Sequence, residues 1–110
     1  MPVKRIVKLD TAALSPGAFT DITYSPEINL MITKIVIIEA AGNPVNNVTL
    51  TFYVADVPYF HPDVSAALFT TTSLHNPELK VLLQAGVRLS MRITNGESTT
   101  RRLYIHLIAE

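Results

Sequence analysis

The chain has 110 residues, of which 48% are hydrophobic and 16% are charged, and its net charge at pH 7 is zero. This length suits one domain with a single compact core, and the balanced charge gives no support to nucleic acid or an acidic membrane as a partner. The absence of cysteine excludes disulfides, thiolate metal sites and cysteine nucleophiles. Because an average soluble protein carries roughly 25% charged residues, the low charge suggests a surface that is uncharged or covered by a partner.

Alternation of β-branched and polar residues predicts strands throughout the first half of the chain. Turn residues at Ser15-Pro16-Gly17 and Gly42-Asn43-Pro44 separate these strands. Residues 35–38, Ile-Val-Ile-Ile, are apolar on both parities, so we expect a central strand covered on both faces. The predicted strands span residues 3–9, 19–24, 29–39 and 48–54.

Residues 57–77 are irregular in pattern and contain several prolines. They hold the best helical candidate, a single turn at 63–68 with Asp63 suited to cap it, and we expect a short edge strand at about 67–72. Regular alternation then resumes and predicts three more strands, at 79–83, 87–94 and 100–109.

Seven or eight short strands within residues 1–110 predict an all-β domain built as a two-sheet β-sandwich. Jelly-roll connectivity is the preferred topology, and an immunoglobulin-like sandwich is the alternative. The strand order does not follow from the pattern, so both topologies stay open at this point.

The last 26 residues, AGVRLSMRITNGESTTRRLYIHLIAE, contain two alternating runs around Asn95-Gly96. We predict a hairpin that pairs residues 94 and 100, so that Met91 faces Leu103 on the buried side and Arg92 faces Arg102 on the outer side. The outer row is a candidate interaction surface, and it consists of Arg88, Arg92, Arg102, Tyr104 and His106.

Like charges directly opposite on a sheet are destabilising, so the expected Arg92–Arg102 pair needs an explanation. The guanidinium groups splay into water or stack on Tyr104, or acids of a neighbouring strand lie between them, or a partner supplies the anions. Such a partner is another subunit, an acidic sugar or a phosphate. Nucleic acid is the least supported partner, because only one face of the hairpin is basic. Arginine and tyrosine are enriched at protein interfaces.

Charge is also segregated along the chain. Residues 1–9 sum to +3, residues 10–78 to −6 and residues 79–110 to +3. One explanation is that strands from the basic ends lie beside strands from the acidic middle, so that their charges neutralise each other. The other is that the molecule has a basic side and an acidic side, and that the basic side of one copy stacks on the acidic side of the next.

The irregular segment supplies a second candidate, a loop site of Tyr59, Phe60 and His61. Aromatic loop residues can stack on a sugar or fill a partner's pocket, and they also suit a cap on the open end of the sandwich. His61 and Asp63 offer at most two metal ligands, and the chain has no nucleophile elbow or phosphate-binding glycine loop. We therefore expect no enzyme activity, no metal and no cofactor.

The N-terminal sequence MPVKRIVKLD lacks the apolar run of a signal peptide. The most apolar stretch, residues 28–41, is too short and too polar for a membrane span. We therefore expect a soluble protein made without a signal peptide, cytoplasmic or virion-associated, with no membrane partner.

Residues 83–95, LQAGVRLSMRITN, followed by residues 102–107, RLYIHL, resemble the closing strands of small jelly-roll sandwiches. Such strands occur in virion proteins of tailed phages and archaeal viruses, and also in carbohydrate-binding modules. Together with the low charge and the lack of a catalytic motif, the resemblance implies a non-enzymatic structural or assembly protein that self-associates as a homo-oligomer, with a virion component as the specific case. The alternative is a ligand-binding β-sandwich module, with carbohydrate as the expected ligand.

Overall fold

A computed structural model describes residues 5–59, 64–71, 73 and 76–110, which form two antiparallel sheets and one short 3₁₀ turn, Ala66–Phe69. The strands are β1 (Arg5–Leu14), β2 (Phe19–Tyr24), β3 (Leu30–Glu39), β4 (Val48–Val54), β5 (Val57–Pro58), β6 (Val64–Ser65), β7 (Val81–Leu83), β8 (Leu89–Asn95) and β9 (Arg101–Ala109). The first sheet has the order β1-β9-β3-β7, and the second has the order β2-β8-β4-β5, with β6 also paired to β4. The predicted all-β two-sheet sandwich is confirmed.

Alternation along each strand decides which side chains enter the core between the two sheets. The apolar parity of β8 and of β9 points inward, and the prediction that this parity forms the core is confirmed. Six of its side chains are 0% exposed: Leu89, Met91, Ile93, Leu103, Ile105 and Leu107. Burying one such side chain contributes roughly 1.5–3 kcal/mol relative to leaving it in water.

Most successive strands lie in opposite sheets, and this corrects the predicted C-terminal hairpin. β8 pairs with β2 and β4 in the second sheet, whereas β9 pairs with β1 and β3 in the first. Residues 96–100 therefore form an arch across the sandwich, and the predicted register is wrong. Met91 and Leu103 are both buried as expected, but they belong to different sheets.

The backbone at Asn95-Gly96 does not form the two-residue turn that is typical of an Asn-Gly dipeptide. A two-residue type I′ turn needs positive φ at both central residues, and neither Asn95 nor Gly96 adopts it. Ala55 and Asp56 do, with φ of 51° and 65°, and they join β4 to β5 in a tight hairpin.

A buried polar network holds the arch. The Asn95 side chain is fully buried and donates to the carbonyls of Leu14, at 2.9 Å, and Thr99, at 3.0 Å, while its oxygen accepts from the Glu97 N–H at 2.9 Å. The Gly96 N–H donates to the Asn47 carbonyl at 3.0 Å. A Cβ on Gly96 would lie 2.4 Å from that carbonyl oxygen, so glycine is needed here for close backbone approach.

Several smaller expectations differ from the structure. β3 lies inside its sheet, but it is not covered on both faces, because Ile38 is 39% exposed while Ile35 and Ile37 are buried. The turn expected at 63–68 begins later, and the Ser65 hydroxyl caps it by accepting from the Ala67 N–H at 3.3 Å. Asp63, the expected cap, lies outside the described residues.

The edge strand expected at 67–72 is also wrong, because the 3₁₀ turn occupies its first part and Thr70 makes only an isolated bridge to Ile37. Across the described ranges, no helix is long and apolar enough to cross a membrane.

Candidate interaction surfaces

The predicted outer row of five residues does not form one surface. Arg88 and Arg92 lie on the outer side of the second sheet, whereas Arg102, Tyr104 and His106 lie on the outer side of the first. The reason is that β8 and β9 belong to different sheets. The unfavourable pairing of Arg92 with Arg102 therefore does not occur.

Arg92 and Arg102 each form a bidentate ion pair with an aspartate of a neighbouring strand. Arg92 donates to Asp21 on β2 at 2.9 and 3.0 Å, and Arg102 donates to Asp10 on β1 at 3.1 and 2.5 Å. The hydrogen bonds from Arg92 lower the pKa of Asp21. Those from Arg102, followed by the bond from the Ala12 N–H, lower the pKa of Asp10.

Each of these arginines also lies over an aromatic ring on its own face. The guanidinium carbon of Arg92 is 4.6 Å from the ring centre of Phe19, and that of Arg102 is 5.4 Å from the ring centre of Tyr104. Such cation–π contacts help to fix the guanidinium groups. Stacking of an arginine on Tyr104, one of the alternatives that the sequence left open, is thus present for Arg102.

The ion pairs join the basic C-terminal part of the chain to its acidic middle. Arg88, just before β8, binds Asp56 at 2.5 Å, so all three arginines of the expected row pair with acids from residues 10–78. This agrees with neutralisation between the ends and the middle of the chain. The predicted basic row is accordingly not a continuous basic surface.

The outer side of the first sheet carries a group of apolar side chains, with the charged Lys8, Asp10, Lys34 and Arg102 among and beside them. Ile6 is 59% exposed, Leu82 53% and Ile38 39%, and four partly buried side chains lie on the same side. We call this surface the apolar face, and its members are Ile6, Met31, Val36, Ile38, Leu82, Tyr104 and Ile108. His106 lies within it, next to Val36.

The outer side of the second sheet is polar apart from the exposed Phe19 and carries an open depression of about 380 Å³. One cross-strand rung, Thr23–Ser90–Tyr53, runs across β2, β8 and β4, and an arginine–aspartate pair lies on either side of it. We call this depression the polar cleft, and it is lined by Asp21, Thr23, Tyr53, Asp56, Arg88, Ser90 and Arg92.

Of the three residues of the predicted loop site, the structure describes only Tyr59. Its side chain is 44% exposed, its hydroxyl donates to the Lys80 carbonyl at 3.1 Å, and its ring meets that of Phe52 edge to face at 6.1 Å. Phe60 and His61 lie outside the described residues. Within the part of the chain that the structure does describe, no group of three metal-ligating side chains occurs.

Both surfaces contain residues that sequence reasoning missed. No sequence pattern selects the Thr23–Ser90–Tyr53 rung or the aspartates beside it, since a threonine or tyrosine on the polar side of a strand is ordinary. The apolar face did leave a signal, because Ile38 and Ile6 place apolar residues on the outer parity of otherwise alternating strands.

Those two surfaces are the main observations on which a function can rest. Comparison of the chain with protein-family models, with curated proteins and with solved structures found no match.

Proposed function

We propose that this protein is a non-enzymatic structural subunit that self-associates through the apolar face. The observation that carries the proposal is the exposure of Ile6, Ile38 and Leu82 on one side of one sheet. Exposed apolar patches bordered by polar residues typically mark protein–protein contacts. The low charged fraction of the chain, 16%, agrees with a surface of which part is covered.

A second copy of the chain is the occupant that fits the borders of this face. Strand pairing places Ile6 and Ile38 on one diagonal of this face and the charged Lys34 and Asp10 on the other, and Lys8 lies between Ile6 and Asp10 on β1. A two-fold axis along the isoleucine diagonal would set Lys34 of one copy against Asp10 of the other, where Lys34 would join the ion pair that Asp10 already makes with Arg102. Two-fold dimers that use the same patch on both subunits are the commonest homo-oligomers.

The charge segregation of the sequence no longer supports assembly, because the arginines of the predicted row are neutralised within the subunit. The proposal of self-association is supported instead by the apolar face. This changes the expected salt dependence, since an apolar contact is not weakened by salt as an interface of opposite charges is.

We also assign jelly-roll connectivity to the sandwich. The support is a nested pairing in which β1 neighbours β9, β2 neighbours β8, β3 neighbours β7 and β4 neighbours β5, as in a long hairpin rolled on itself. Jelly rolls occur in viral capsid proteins and lectins. Fold alone does not determine function, so the virion setting rests on the resemblance of residues 83–95 and 102–107 and is the most specific form of the proposal.

Sedimentation equilibrium over a wide concentration range tests the self-association. We expect the native chain to form dimers or larger species at micromolar concentration, and the double variant Ile6→Glu with Ile38→Glu to be monomeric with an unchanged circular dichroism spectrum. The matched control is Val57→Glu, since Val57 is 64% exposed on β5 of the second sheet, and it should keep the native assembly. A native chain that stays monomeric, or a double variant that still assembles, would refute the proposal.

A further inference from the structure

The polar cleft combines two kinds of group in a fixed arrangement. At its centre, Thr23, Ser90 and Tyr53 present hydroxyls from three adjacent strands. At its two ends, the Asp21–Arg92 pair, at 2.9 Å, and the Asp56–Arg88 pair, at 2.5 Å, present carboxylates and guanidinium groups together. The cleft therefore offers donors and acceptors side by side along its length.

The charges in the cleft limit the ligands that suit it. Two carboxylates and two guanidinium groups sum to zero, and each is already paired. A phosphate or sulfate would meet the carboxylates, and a metal cation would meet the guanidinium groups, so either ion would have to displace a partner. Sugar hydroxyls both donate and accept, so they can bind the free lone pairs and N–H groups of these pairs without separating them.

We infer that the polar cleft binds a neutral oligosaccharide, with Thr23, Ser90 and Tyr53 hydrogen-bonding its hydroxyls. Its volume, about 380 Å³, lies within the roughly 300–1,000 Å³ of ordinary ligand sites. Since the cleft is open along the sheet, it suits a segment of a chain better than a single enclosed sugar. The part-exposed ring of Tyr53 adds an apolar surface against which a sugar ring can pack.

Part of the arrangement is positioned by the fold before any ligand arrives. The central hydroxyls stand on paired strands, and Arg92 is fixed both by Asp21 and by the ring of Phe19. A site on rigid elements loses less conformational entropy on binding. The cleft lies on the sheet opposite the apolar face, so it would remain open in a dimer formed through that face.

An array of neutral, sulfated and sialylated oligosaccharides, probed with the full chain, tests the inference. We expect binding to at least one neutral oligosaccharide. Titration of that oligosaccharide into isotope-labelled protein should then shift the amide resonances of Thr23, Tyr53 and Ser90. An array on which no neutral oligosaccharide binds, or shifts confined to the loop around Tyr59 or to the first sheet, would overturn the inference.

Matched variants separate the site from a general effect of surface charge. Tyr53→Ala and Asp56→Asn should each weaken binding about tenfold or more, and Ser90→Ala, a smaller change, should weaken it in the same direction. The control is Asp10→Asn, which alters an arginine-paired aspartate on the opposite sheet and should leave the affinity unchanged. A spectrum of dispersed resonances verifies that each variant is folded. Equal losses in Asp10→Asn and Asp56→Asn would overturn the inference.

Discussion

Arg92 and Arg102 lie on opposite outer faces of the sandwich, and each is held by an aspartate of a strand that pairs with its own. Arg92 binds Asp21 of β2, and Arg102 binds Asp10 of β1. The two arginines follow each other closely in the chain, but the arch between β8 and β9 carries the second to the other sheet. Four testable consequences follow from this arrangement and from the packing around it.

Engineered disulfides distinguish the two registers directly, because the chain has no native cysteine. Residues 21 and 92 are directly paired, and Cα atoms of such pairs are about 4.5–5.5 Å apart, within the range that a disulfide spans. Asp21→Cys with Arg92→Cys should therefore crosslink on oxidation. Arg92→Cys with Arg102→Cys should not crosslink within one chain, since packed sheets are about 10 Å apart and both side chains point outward. Thiol titration and mass spectrometry of the monomer give the answer, and an intramolecular 92–102 crosslink would restore the hairpin register.

Acid should weaken both aspartate–arginine pairs. The folded-state pKa values of Asp10 and Asp21 are lowered from their ordinary 3.8 by the hydrogen bonds from Arg102 and Arg92. A lowered folded-state pKa contributes stability that is present above the unfolded value and lost as pH falls through the folded one. The free energy of unfolding should thus decline below about pH 4, and less steeply in Asp10→Asn and Asp21→Asn.

Carboxyl-carbon NMR titration measures these two pKa values separately. Asp21→Asn should leave the titration of Asp10 unchanged, because the two pairs lie on opposite faces of the sandwich. An aspartate that titrates at or above 3.8 in the folded protein would contradict the ion pair assigned to it.

Two leucines on different sides of the first sheet allow a matched test of the core. Leu103 is 0% exposed and Leu82 is 53% exposed. Leu103→Ala should lower the free energy of unfolding by roughly 2–5 kcal/mol, because it leaves a cavity between the sheets. Leu82→Ala should change it by only about 0.5 kcal/mol. Urea unfolding of monomeric protein compares them, and similar losses at the two positions would show that the core parity of the first sheet is misassigned.

The tight turn at Ala55 offers a stabilising substitution. Alanine with φ of 51° sits in the left-handed region, which costs a residue with a Cβ roughly 1–2 kcal/mol. Ala55→Gly should relieve this and raise the free energy of unfolding by about 1 kcal/mol. The control is Ala13→Gly, at a strand residue without positive φ, which should be destabilising. Thermal unfolding measures both, and a destabilising Ala55→Gly would contradict the turn.

Much of the fold could be predicted from the sequence because alternation is a local property. The bounds of β2 and β4 agree with the predicted 19–24 and 48–54, and the burial of Met91 and Leu103 agrees as well. The turn chemistry was less informative. Asn95-Gly96 is the dipeptide most typical of a two-residue hairpin, yet the two-residue turn occurs at Ala55-Asp56.

The candidate surfaces depended on strand pairing and so could not be predicted. The predicted row from Arg88 to His106 requires that strands adjacent in the chain are also adjacent in a sheet, which β8 and β9 are not. The apolar face and the polar cleft each combine residues from at least three strands distant in sequence. No periodicity within one strand indicates which other strand will lie beside it.

The sequence by itself determined most of the longer strands and the buried parity of those that alternate, because period-two alternation needs only one apolar side to bury. Only the tertiary structure decided which strands pair. Met91 and Leu103 are equally well buried whether β8 and β9 lie side by side in one sheet or face each other across the core. The observed arrangement is held by long-range hydrogen bonds of Asn95 and by close packing of Gly96 on Asn47, and contacts between residues so far apart in the chain leave no local pattern.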